Sequence, residues 1–203
     1  MAVAVLGATA VLGEEPSAAW CALAIDEERI ELEEATLAVD LAKSDFAAYE
    51  EIYSLIAQLW ERRAIERMMW VEARYDRDAA RLALEWADLI LERQEALLEA
   101  YRLSCEAPTS DEAADDRARA LDGALQRYRE MHCASLSKAV EVAKVNLEFS
   151  QEFLTSVLNL RAGDVATRPD VIRAELGVER DEKKLAESTR RAEACRAATG
   201  RQP

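Results

Sequence analysis

The 203-residue chain carries 26 Lys and Arg against 40 Asp and Glu, a formal net charge of −14, and half of its residues are apolar. No basic stripe is present to neutralise a phosphate backbone or to hold an anionic membrane surface, so nucleic-acid and membrane-bending roles are disfavoured. Only six Gly and four Pro, in a sequence dominated by Ala, Leu, Glu and Arg, argue against a sheet protein and for long helices.

Residues 1–12 are apolar but too few to span a bilayer as a helix. Ala8-Thr9-Ala10 has the small-residue character of a signal-peptide end, without the basic residues that open such a signal. Residues 1–16 are therefore read as a flexible apolar N-terminus or a signal remnant. A remnant implies the periplasm, and otherwise the cytoplasm is expected.

Ser17 can cap the first helix. From there to Glu106 the chain has neither Pro nor Gly. Leu41, Ala48, Ile52, Leu55 and Leu59, then Met69, Ala73, Ala80, Ala83, Ala87, Ile90, Leu97 and Tyr101, recur at spacings of three and four and read as a heptad seam. The seam falters at Arg62 and Glu66. Pro108 is the clearest break, with Ser110 or Asp111 capping the next helix. The third segment has two adjacent stripes. One runs through Leu121, Leu125, Tyr128, His132, Ala139, Val142, Asn146, Phe149 and Phe153, and the other through Leu136, Val140, Leu147 and Leu154. Two stripes predict packing on two sides. A second turn spans 161–170, where Gly163 suits a C-cap, Thr167 an N-cap and Pro169 a first-turn position. The final helix runs to about Ala198 through Val171, Ala174, Val178, Leu185, Ala192 and Cys195.

A shift of 101 residues superposes the two halves weakly: Leu59 falls on Leu160, Ala73 on Ala174, Leu84 on Leu185 and the 62–67 stretch on 163–168. Duplication predicts two tandem helical hairpins, residues 17–106 and 111–200, with tips near 62–67 and 163–168. The expected fold is all-α, with antiparallel long-helix coiled-coil hairpins in a four-helix arrangement. The alternative is one very long helix to Glu106 with two shorter helices packed back along it. Both paths place Cys195 near Cys21. Charge is uneven along the chain: residues 14–59 hold twelve acids and two bases, whereas 168–203 hold seven acids and nine bases. That fits solvated faces of different charge, or first and last helices lying side by side.

Little in the sequence points to chemistry. A two-metal carboxylate site in a bundle needs Glu and paired Glu-x-x-His motifs, and the one histidine, His132, comes two residues after Glu130, a spacing that points the two side chains apart. His132 falls on the seam and reads as a packed residue. Cys21, Cys105, Cys133 and Cys195 form no C-x-x-C, so zinc and thioredoxin-type chemistry lack support, and they read as small buried hydrophobes. Cys133 adjoins His132 but diverges from it by about 100° on a helix. No Gly-rich phosphate loop exists. Trp20, Trp60, Trp70 and Trp86 read as core or interface anchors. No catalytic residue, metal site or cofactor is expected.

The segment from Gly163-Asp164-Val165 through Thr167-Arg168-Pro169-Asp170-Val171 to Ala174-Glu175 resembles the hairpin tip of TolC-type outer-membrane efflux proteins. Those proteins carry Gly, then Ser or Thr, then Asp-Val or Asp-Leu opening a long Ala-rich helix. The stretch from Arg63-Ala64-Ile65 to Ala79-Ala80 is similar to a degenerate version of the same pattern. The membrane-spanning β-hairpins of that family have no counterpart, because only the Pro108 turn joins the halves. The resemblance implies a non-enzymatic helical-hairpin protein that works through helix–helix contacts, with a periplasmic adaptor or with itself, and with Arg161, Gly163, Thr167 and Asp170 at the partner contact. A scaffold subunit of a larger assembly is the alternative.

Overall fold

The computed structural model describes residues 17–107 and 110–199; the N-terminal segment 1–16, Pro108 and Gly200 lie outside them. Among the described residues there are four helices and no strand: α1 (Ala18–Glu61), α2 (Arg67–Cys105), α3 (Asp111–Ala162) and α4 (Arg168–Ala198). The four-helix path thus replaces the alternative of a single helix to Glu106, because the chain turns at residues 62–66. No helix among the described residues is long and apolar enough to cross a membrane.

The helices start at their capping residues. The Ser17 hydroxyl accepts the Trp20 N–H at 3.2 Å, and the Ser110 hydroxyl accepts the Ala113 N–H at 3.2 Å. Each satisfies one of the backbone donors that a helix start leaves open. α4 begins after Thr167 with Pro169 in its first turn, where the missing N–H costs nothing.

The chain forms two compact units that cut across the hairpins. The first takes residues 18–39 of α1, 88–105 of α2 and 111–132 of α3. Its core is Leu97 and Tyr101 of α2, packed by Trp20, Ala24 and Ile25 from α1 and by Leu125 and Tyr128 from α3. Trp20 and Tyr101 lie 5.9 Å apart between ring centroids. The Cys21–Cys105 disulfide, with Cα atoms 5.7 Å apart, ties α1 to α2.

The second unit takes residues 40–87 and 133–199, and so contains parts of all four helices. Leu82 and Val71 are its largest fully buried side chains, each about 1 % exposed; burying each is worth roughly 1.5–3 kcal/mol. Tyr75 of α2 stacks on Phe149 of α3 at 4.2 Å, and its hydroxyl donates to Asn146 Oδ1 at 2.7 Å. The ion pairs Arg74–Glu152 and Lys138–Glu85 also join α2 to α3. The Cys133–Cys195 disulfide, Cα to Cα 5.6 Å, ties α3 to α4.

Two expectations are corrected here. The cysteines are paired rather than being free buried hydrophobes, Cys21 with Cys105 and Cys133 with Cys195, whereas the sequence reading pairs none of them. The reason is the turn at 163–167: an antiparallel α4 that starts there sets Cys195 opposite about residue 135 of α3, within reach of Cys133. The α1 seam is corrected as well. Leu41, Ile52, Leu55 and Leu59 are 59, 47, 56 and 38 % exposed, while the buried residues of α1 are Cys21, Glu28, Ala35 and Val39. At 100° per residue these two sets lie on opposite sides of the helix. α1 is apolar on both, and it is the face of smaller side chains that packs inward.

Candidate functional site: the hairpin tips

The segment that resembles an efflux-protein tip is the turn between α3 and α4. α3 ends at Ala162 in a pair of reverse hydrogen bonds. The Val165 N–H reaches the Leu160 carbonyl at 2.9 Å, and the Asp164 N–H reaches the Arg161 carbonyl at 3.0 Å. Asp164 takes a left-handed backbone, φ 59°. This is the Schellman arrangement that satisfies the last carbonyls of a helix. The left-handed residue is Asp164 rather than Gly163, which corrects the sequence reading of the cap. A Cβ at Gly163 would meet only the Leu160 carbonyl oxygen, at 3.7 Å.

The four sequence-predicted residues gather in this turn. Arg161 Nη1 donates to the Ala166 carbonyl at 3.2 Å and braces the loop. The Asp170 carboxylate accepts the Thr167 N–H at 2.9 Å and the Thr167 hydroxyl at 2.5 Å. These Thr167 hydrogen bonds, with Arg173 nearby, hold the Asp170 carboxyl below its ordinary range. Arg161, Gly163 and Thr167 are exposed, Asp170 is half-buried and Val165 is 72 % exposed.

The turn between α1 and α2 repeats this geometry. The Ala64 N–H reaches the Leu59 carbonyl at 2.9 Å, the Arg63 N–H reaches the Trp60 carbonyl at 2.9 Å, and Arg63 has φ 56°. Every atom pair in this set is the counterpart of one in the other turn, 101 residues earlier. The helix bounds shift alike, Glu61 to Ala162 and Arg67 to Arg168. Trp60 stacks on Trp70 across this tip at 6.0 Å, and the Arg74 guanidinium lies 5.1 Å above the Trp70 ring. Both tips belong to the second unit.

Among the described residues no group of three or more His, Cys, Asp or Glu is placed to hold a metal ion. Cys133 is in a disulfide and is not a thiol nucleophile. His132 stacks on Tyr128 at 6.4 Å on the same helix. An open groove of about 680 Å³ between α3 and α4 is lined by Val142, Ala143, Leu176, Lys183, Lys184 and Ser188 among others. No protein-family model, no curated protein and no solved structure matches the chain.

Proposed function

We propose that this is a non-enzymatic helical-hairpin protein that works through helix–helix contacts with another protein, its two tips forming the contact. The observation that carries the reading is the pair of exposed turns of the same geometry, at Arg63 and Asp164, in one compact unit. A braced, exposed loop flanked by long helices is a shape that a partner hairpin can meet, and Arg161, Thr167 and Asp170 supply its polar groups. The resemblance to TolC-type hairpins supports a periplasmic adaptor as that partner. Two disulfides support an oxidising compartment. A second reading, a scaffold subunit, is favoured by the solvent-facing Leu41, Ile52 and Leu55 on α1.

The test is photo-crosslinking in the native cells, with the reactive residue placed at Ala64, Val165 or, as a control, Arg190. Crosslinks to one identified hairpin protein from both tips and not from Arg190 are expected. Tips that stay uncrosslinked while Leu55 captures a stable subunit would favour the scaffold instead.

A further inference from the structure

In the first unit, α1 turns an ordered face to solvent. Leu23, Ile30 and Leu37 are 68, 58 and 59 % exposed. They stand seven residues apart, so each is about 10 Å further along the helix and only about 20° round it. Between them the sequence repeats an acidic pair in the same phase: Asp26-Glu27 after Leu23, and Glu33-Glu34 after Ile30. All four acids are exposed. At three and four residues beyond each aliphatic they flank its row on either side. Arg29 pairs with Asp26 at 2.8 Å and is the single base from 17 to 39, against six acids. The opposite side of the same stretch carries the buried Cys21, Glu28, Ala35 and Val39. The aliphatic row is therefore not the face that builds the unit's core.

We propose that this face of α1 docks a basic amphipathic helix of another protein, with an aliphatic seam at seven-residue spacing and Lys or Arg on its flanks. Three aliphatics in a row about 21 Å long match one side of a three-heptad coiled-coil seam. The paired acids decide the occupant. A second copy of α1 laid on this face would set acid against acid, and like charges across a seam oppose pairing. A partner with Lys or Arg at the flanking positions meets four carboxylates instead, which sets both orientation and rate of encounter. The face lies on the side of α1 and uses neither tip, so failure here leaves the tip reading standing, and the reverse holds too.

The probe is a synthetic helix of about three heptads with a Leu/Ile seam and Lys/Arg flanks, labelled for fluorescence anisotropy and titrated with the full-length, disulfide-bonded protein. Two control peptides are used, one with Glu flanks and one of scrambled basic sequence. The basic helix is expected to bind at least roughly tenfold more tightly than either, and to weaken as salt rises from about 0.05 to about 0.5 M. Ile30→Ser should abolish binding. The quadruple variant D26K, E27K, E33K and E34K should exchange the preference in favour of the Glu-flanked peptide. All five positions are exposed, so folding is expected to persist and is checked by circular dichroism. Equal binding of the scrambled peptide would reduce the effect to net charge and overturn the proposal. So would an oligomer of the protein alone that dissociates on Ile30→Ser, since the occupant would then be a second copy.

Discussion

Arg63 and Asp164 hold the same place in two copies of one turn, 101 residues apart, each with a left-handed backbone and each closing the helix before it with the same pair of hydrogen bonds. Both are L-residues in a conformation that costs a side chain about 1–2 kcal/mol, less for Asp than for Arg. Arg63→Gly should therefore raise stability by about 1 kcal/mol, and Asp164→Gly by less. Gly163→Ala should be neutral or slightly stabilising, because its Cβ meets nothing closer than 3.7 Å. Thermal unfolding of the three variants checks this. A loss on Gly163→Ala would return the cap to Gly163.

The disulfides close loops of 84 and 62 residues. In the chain-entropy account each restricts the unfolded chain by roughly 4–5 kcal/mol. Cys21→Ser with Cys105→Ser should loosen chiefly the first unit, and Cys133→Ser with Cys195→Ser the second. Hydrogen exchange read by peptide distinguishes the two. Thiol titration of the unfolded, unreduced protein should find none of the four cysteines free.

Asp181 of α4 is 3 % exposed and accepts the Ser150 hydroxyl at 2.6 Å across the α3–α4 interface. Burial pushes its carboxyl up, but the Ser150 hydrogen bond and the Arg180 and Lys184 cations outweigh that and hold it below the usual value of 3.8. A lowered carboxyl adds stability above the unfolded value, and the contribution fades as pH falls below 3.8 toward the folded value. Ser150→Ala, which leaves a buried carboxylate short of a partner, should cost roughly 1–3 kcal/mol at neutral pH. Asp181→Asn should destabilise at pH 7 and lose its effect in strong acid. Unfolding midpoints in denaturant across that range give the answer.

The fold was legible where periodicity and punctuation agreed. The two stripes of α3, the Ser17 and Ser110 caps and the Thr167 start of α4 come from side chains that leave little choice. The first tip was legible only as a seam that faltered at Arg62 and as the shadow of the second tip, because the residue that turns the chain is an arginine and not a glycine. Cysteine pairing went unread although the two tips contain it. An antiparallel hairpin that turns at 62–66 sets residue 21 opposite about 107, and one that turns at 163–167 sets residue 195 opposite about 135, so the tip positions bring Cys21 to Cys105 and Cys195 to Cys133. The α1 seam misled for a different cause. Spacing marks an apolar face, and a helix with two such faces does not say which one is inward. The tip residues came together because they are close in sequence.

Glu28 points into the first unit, 7 % exposed, with its Oε2 lacking a hydrogen-bond partner. Burial, aided by Glu31 and Glu27, raises its carboxyl above 4.5, and the Arg93 guanidinium only partly offsets the shift. A raised carboxyl contributes stability that is full below the unfolded value and is lost as pH rises through the folded one. Above the unfolded value the raised carboxyl of Glu28 therefore weighs against the fold. Glu28→Gln keeps the shape and removes the charge, so it should raise the unfolding temperature at pH 7. The gain should shrink as pH falls and vanish below about 4.5, where the wild-type side chain is protonated in both states. If Arg93 relied on that carboxylate, the variant would instead unfold earlier at pH 7, and the coupling between the two could then be measured by adding Arg93→Met.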